Sequence, residues 1–74
     1  MKYNERLKDL RIDNDIKQET IAKYLKTSQS YYAQYEQGKR QIPFDRIIEL
    51  AEYYNVTIDY IAGFTDKKQP INRK

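Results

Sequence analysis

Between Ser28 and Gln37 the chain carries three glutamines, two serines and an alanine, side chains suited to hydrogen bonding and close contact. At 100° per residue of helix, Ser30, Ala33, Gln34 and Gln37 share one side, with Gln29 on the flank near the helix start. Ser28, Tyr32, Tyr35 and Glu36 fall on the other side. The outward face is therefore polar, made of short or amide side chains, and uncharged. An exposed helix face ordinarily carries lysine or glutamate, so this composition suits hydrogen bonding to a patterned partner. Glutamine can pair bidentately with adenine N6 and N7, and serine or alanine can lie against base edges or a thymine methyl.

Other chemistries are poorly served. The 74 residues contain no histidine and no cysteine, which removes Cys/His metal sites, thiol nucleophiles and imidazole catalysis. The carboxylates, lysines and tyrosines that remain are common surface residues. No enzyme activity, catalytic residue, metal, cofactor or small-molecule substrate is expected. No stretch of apolar residues comes near the ~18 needed to cross a membrane, so no membrane partner is expected either. A cysteine-free chain suits the reducing cytoplasm.

Elements must position the glutamine face, and their signals are helical throughout. Proline occurs only at 43 and 70, glycine only at 38 and 63, while apolar residues recur at three- and four-residue spacing. The first helix is expected to start after Asn4 as N-cap and to set Leu7, Leu10 and Arg11 on one face. The second spans about residues 18–25 and buries Ile21, Ala22 and Leu25. Lys26, Thr27 and Ser28 break the chain before a third helix over about residues 29–37, stopped by Gly38. Pro43 suits the first turn of a fourth helix, which carries Ile47, Ile48, Leu50, Ala51 and Tyr54 and closes at Asn55. Thr57 caps a short fifth helix that ends at Gly63. The expectation is an all-α, compact five-helix domain over residues 1–65, followed by a basic, disordered tail over residues 66–74.

The second helix, a three-residue turn and the third helix form a candidate helix-turn-helix. Charge agrees with a nucleic-acid partner without requiring one. Residues 1–41 hold nine basic side chains against six acidic, residues 42–66 one against five, and residues 67–74 four against none. Such asymmetry is a footprint of nucleic-acid binding. Ordinary solvated charge with a solubilising tail accounts for it equally well.

Three ordered fragments then carry a resemblance: Gln18-Glu19-Thr20-Ile21-Ala22, Thr27-Ser28-Gln29-Ser30 and Tyr35-Glu36-Gln37-Gly38-Lys39-Arg40. With Pro43, Leu50-Ala51 and Asn55-Val56-Thr57-Ile58-Asp59-Tyr60-Ile61, the chain resembles the Cro/phage-repressor (Xre-type) helix-turn-helix family from about Leu7 to Gly63. The resemblance implies a lambda-repressor-like fold whose third helix reads DNA. Position by position, it implies base reading by Ser28, Gln29, Ser30 and Gln34. It also implies phosphate contacts by Gln18, Gln37, Lys39 and Arg40. Arg11 and Glu36 match a pair that forms a structural salt bridge between the first and third helices in several members, and both fall on inward sides of their helices.

Two departures stand out. Lys26 occupies a turn position where the family commonly has glycine, at a cost of roughly 1 kcal/mol if its φ is positive. Lys17 stands at the N-cap of the second helix, where serine, threonine or asparagine is preferred. Tyr31, beside the reading face, has two readings: packing on sugar and phosphate, or plain surface. Tyr53, Ile58, Tyr60, Ile61 and Phe64 are expected to form a dimer surface.

Together these features predict a sequence-specific double-stranded DNA-binding transcriptional regulator, most simply a repressor, acting as a homodimer on a near-palindromic operator. The alternative is an antitoxin or protein-interaction module whose main partner is another protein.

Overall fold

A computed structural model describes residues 2–67 as five helices, with no strand among the described residues. They are α1 (Tyr3–Asp13), α2 (Gln18–Tyr24), α3 (Gln29–Gln37), α4 (Phe44–Tyr54) and α5 (Ile58–Ala62). The all-α, five-helix expectation therefore holds. Residues 68–74, most of the expected tail, lie outside the described residues.

Each helix contributes an apolar edge to one core. Leu7 and Leu10 come from α1, Ile21 and Ala22 from α2, Tyr32 and Tyr35 from α3, Leu50 and Ala51 from α4, and Tyr60 and Ile61 from α5. Burying a leucine or isoleucine contributes roughly 1.5–3 kcal/mol against its exposed state, enough to hold helices too short to persist alone. The third helix packs on α2 and α1, while α5 packs on α1 and α4. Among the described residues, no other helix packs across the exposed side of α3 that carries Ser30 and Gln37.

All five helices stop in the same way. A residue in the left-handed region follows each one: Asp15, Lys26, Gly38, Asn55 and Gly63, with φ of 56°, 60°, 77°, 56° and 89°. Its N–H and that of the next residue reach back to carbonyls of the last turn. After α2, Lys26 N donates to Lys23 O at 3.0 Å and Thr27 N to Ala22 O at 2.9 Å. After α1, Asp15 N donates to Ile12 O and Ile16 N to Arg11 O, both at 3.0 Å. This paired closure satisfies two carbonyls that the helix leaves open. Lys26 thus takes the strained conformation that its position predicts.

The helix starts depart from expectation in detail. Asn4 is not an N-cap: α1 already begins at Tyr3, and the Lys2 N–H donates to Glu5 Oε1 at 3.3 Å. Lys17 and Pro43 precede α2 and α4 without a side-chain cap, whereas Ser28 Oγ and Thr57 Oγ1 accept the N–H of Tyr31 and Tyr60, each at 3.1 Å. Leu25 ends α2 as its C-cap, and its carbonyl accepts a hydrogen bond from the Arg46 guanidinium of α4. That contact anchors the turn leading into α3.

The expected dimer patch is also revised. Tyr60 and Ile61 are buried in the core. Tyr60 lies under the buried Arg6 guanidinium, 4.0 Å from Arg6 Cζ to the ring centroid. Ring attraction and an ion pair to Asp66 at 3.0 Å let α1 bury this arginine. Contact with Tyr60 and the pairing with Asp66 hold its pKa above the ordinary arginine value, against the opposing effect of burial. Of the five patch residues, Tyr53 and Phe64 stay exposed and Ile58 is half-buried.

Candidate nucleic-acid interface

The outer face of α3 is built from the inside outward. Tyr32 and Tyr35 plug its inner side into the core, with their rings edge to face at 6.1 Å. Glu36, on the same side, is buried too, with its side chain only 2% exposed. A carboxylate there needs partners. Arg11 of α1 supplies two hydrogen bonds, Nε to Oε2 at 2.8 Å and Nη2 to Oε1 at 3.1 Å. Gln18, the first residue of α2, donates Nε2 to Oε1 at 3.1 Å. Hydrogen bonding to Glu36 holds the Arg11 guanidinium above its ordinary pKa, with burial opposing and the carboxylate's charge adding to it. Arg11 also donates Nη1 to the Ile16 carbonyl at 2.9 Å, fixing the loop between α1 and α2.

One buried carboxylate therefore joins three elements and sets the angle at which α3 stands. Asn4 adds a fourth tie, donating Nδ2 to the Glu36 carbonyl at 3.2 Å. It sits where Gly38 turns the chain, and a Cβ on Gly38 would come within 3.3 Å of that amide nitrogen. Gly38 is thus required by its φ of 77° and by the close approach of Asn4. Asn4 and Arg6 have no sequence pattern that betrays these roles, because their partners lie far along the chain.

Gln29, Ser30, Tyr31 and Gln37 of α3 and its N-cap Ser28 are exposed, and Ala33 and Gln34 are half-buried. Of the expected base-reading residues, Ser28, Gln29 and Ser30 are exposed at the start of α3, and Gln34, one turn further along, is half-buried. Ser28 is the N-cap, so its hydroxyl is already engaged as an acceptor. Gln29 donates Nε2 to Gln18 Oε1 at 3.5 Å, which extends the buried network to the surface. Lys39 and Arg40 are exposed in the loop that follows Gly38. Lys8, Lys17, Gln18 and Gln29 rim an open groove at the α2 end of this face. Isolated surface lysines such as Lys8 and Lys17 carry no distinguishing signal in the sequence.

Tyr31 is more than plain surface. The Arg40 guanidinium lies 4.5 Å from its ring centroid, and its ring meets that of Tyr35 edge-on at 5.5 Å. Arg40 Nε also donates to Gln34 Oε1 at 3.3 Å.

Comparison with known proteins agrees with this architecture. A helix-turn-helix family model matches residues 7–61, spanning all but the start of α1 and the end of α5. The chain is 36% identical over 73 residues to the uncharacterized HTH-type transcriptional regulator YobD of Bacillus subtilis (strain 168). It is 29% identical over 72 residues to the cryptic phage CTXphi transcriptional repressor RstR of Vibrio cholerae. Each alignment takes in 97% of this chain but 65% and 63% of the relative, so the chain spans less than two thirds of their length. A transcriptional regulator from Listeria innocua superposes with a TM-score of 0.81 at 25% identity, over 99% of this chain and 65% of that one. The P22 c2 repressor, solved in complex with a synthetic operator, shares the fold, with a TM-score of 0.77 at 18% identity over 88% of this chain and 98% of that one. The sequence match over most of the chain and the shared five-helix architecture have one reading: the chain belongs to the Xre/Cro-type helix-turn-helix family of transcriptional regulators.

Proposed function

We propose that this protein is a sequence-specific double-stranded DNA-binding transcriptional regulator, a repressor that works in the cytoplasm as a homodimer on a near-palindromic operator. The observation that carries the reading is the outer face of α3: uncharged, rich in amides, solvent-facing, and braced from behind by Arg11, Glu36 and Gln18. A helix of this kind fits the major groove, where amide and hydroxyl groups meet base edges. In this reading Ser28, Gln29, Ser30 and Gln34 face the bases. Gln18, Gln37, Lys39 and Arg40 meet phosphates on either side. Repression then needs no chemistry, only occupancy of a promoter.

One recognition helix touches too few base pairs for selectivity, so two copies are required. An apolar groove of about 310 Å³, lined by Tyr3, Ile42, Phe44, Ile47, Ile58 and Ile61, supports a second copy seated there. The same groove, with Phe64 85% exposed beside α5, is the observation that favours the alternative of an antitoxin or other protein-binding module.

Selection of bound duplexes from a randomised library at about 0.15 M salt tests the DNA reading, and a stable partner protein that co-purifies with the chain would favour the alternative. A dimeric regulator enriches a two-fold motif with half-sites about 34 Å, or ten base pairs, apart. Salt-sensitive bulk binding with no enriched motif would overturn the reading and put the protein partner first.

A further inference from the structure

The contact between Arg40 and Gln34 bears on which base Gln34 can read, and the inference rests on the function proposed above. Arg40 is held from three directions. Its backbone N–H, with that of Lys39, donates to the Gln34 carbonyl at 3.3 and 3.0 Å, folding the loop back over the end of α3. Its guanidinium lies over the Tyr31 ring, which is itself seated against the buried Tyr35. Its Nε then donates to Gln34 Oε1 at 3.3 Å.

A guanidinium has donors and no acceptor, so the end of the amide that faces Arg40 must be the oxygen. Gln34 therefore presents its NH2 group away from the loop, with its oxygen drawn aside. A glutamine free to rotate can offer donor and acceptor together, the pattern that matches adenine N7 and N6. Held by Arg40, Gln34 offers donors first. The edges that suit donors alone are guanine N7 and O6 or thymine O4.

We infer that Arg40, stacked on Tyr31, is a positioning residue for specificity: it fixes the Gln34 amide so that Gln34 selects an acceptor-only base edge, guanine or thymine, over adenine. This gives Arg40 a role beyond neutralising a phosphate. It also gives the exposed Tyr31 a reason to be aromatic, since its ring is the platform that keeps the guanidinium beside the amide.

Randomised-duplex selection on the unaltered protein and on Gln34→Ala, Arg40→Met, Tyr31→Ala and Lys39→Met tests the inference. Gln34→Ala identifies the base pair that Gln34 reads. At that pair the unaltered protein is expected to prefer guanine or thymine over adenine by about 10-fold or more. Arg40→Met and Tyr31→Ala should each reduce that preference below about 3-fold or turn it toward adenine, with the remaining positions of the motif unchanged. Lys39→Met removes a neighbouring charge and should weaken binding while leaving the whole motif intact. An adenine preference in the unaltered protein, or an Arg40→Met motif identical to the original, would overturn the role of Arg40 while leaving DNA reading by α3 standing. Absence of any motif in the unaltered protein overturns both.

Discussion

Arg11 closes on Glu36 through two parallel hydrogen bonds, and the carboxylate it holds is buried, its side chain 2% exposed against 13% for Arg11. The pair links α1 to α3 directly and α2 to α3 through Gln18. Removing one partner leaves the other charge without its counterpart, which costs about 3–5 kcal/mol for a buried pair. Glu36→Ala and Arg11→Ala are therefore expected to leave the domain barely folded. The double variant Arg11→Met with Glu36→Leu should lose less than either, because it removes both charges. Urea unfolding of the three proteins checks this, and additive losses in the double variant would contradict it.

Tyr32 and Tyr54 make stability depend on alkaline pH. Burial, then the nearby Glu36 carboxylate, pushes both phenols well above their ordinary range. The unfolded chain releases these protons near pH 10, whereas the folded protein keeps them. Stability is fully present below about pH 10 and falls as pH rises beyond it, by about 1.4 kcal/mol per pH unit for each tyrosine. Tyr32→Phe should flatten that fall by one tyrosine's share. Denaturant midpoints measured from pH 8 to pH 12 would show a slope unaffected by the substitution if this account were wrong.

The left-handed turn residues differ in how well they suit their place. Gly38→Ala adds a Cβ at φ 77° and presses it against Asn4, so a loss of about 1–2 kcal/mol is expected. Lys26→Gly relieves a comparable strain but gives the unfolded chain more freedom, and the two effects nearly cancel. A loss of 1 kcal/mol lowers Tm by about 4–8 °C in a domain of this size. Thermal melts should thus show a clear drop for Gly38→Ala and a change of only a few degrees for Lys26→Gly.

Base reading and phosphate contact leave different signatures. Gln29→Ala should weaken binding to the selected site by about 1–3 kcal/mol and leave binding to random duplexes unchanged. Lys39→Ala should weaken both and reduce the salt slope by about one. Affinities titrated from 50 to 200 mM salt on both duplexes separate them. A Gln29→Ala protein that kept its full affinity and preferred sequence would remove Gln29 from the base-reading set.

The five helices and the polar side of α3 are legible in the residues alone. Apolar spacing, Gly38, Asn55, Gly63 and the hydroxyl caps are local signals, read by the backbone within a few residues of where they act. The stop at Asp15 is a local signal as well, since Asp13, Asn14 and Asp15 form a turn cluster and aspartate is among the non-glycine residues enriched at positive φ. Which charges and aromatic rings are used up inside depends instead on contacts between distant parts of the chain. Arg6 is buried over Tyr60 across more than fifty residues of chain, Asn4 turns in to the Glu36 carbonyl, and Arg40 swings back onto Tyr31 and Gln34. Periodicity gives the direction of a side chain from its own helix. Whether a ring or guanidinium waits there depends on how the helices cross, and that is settled by the packing of the whole core.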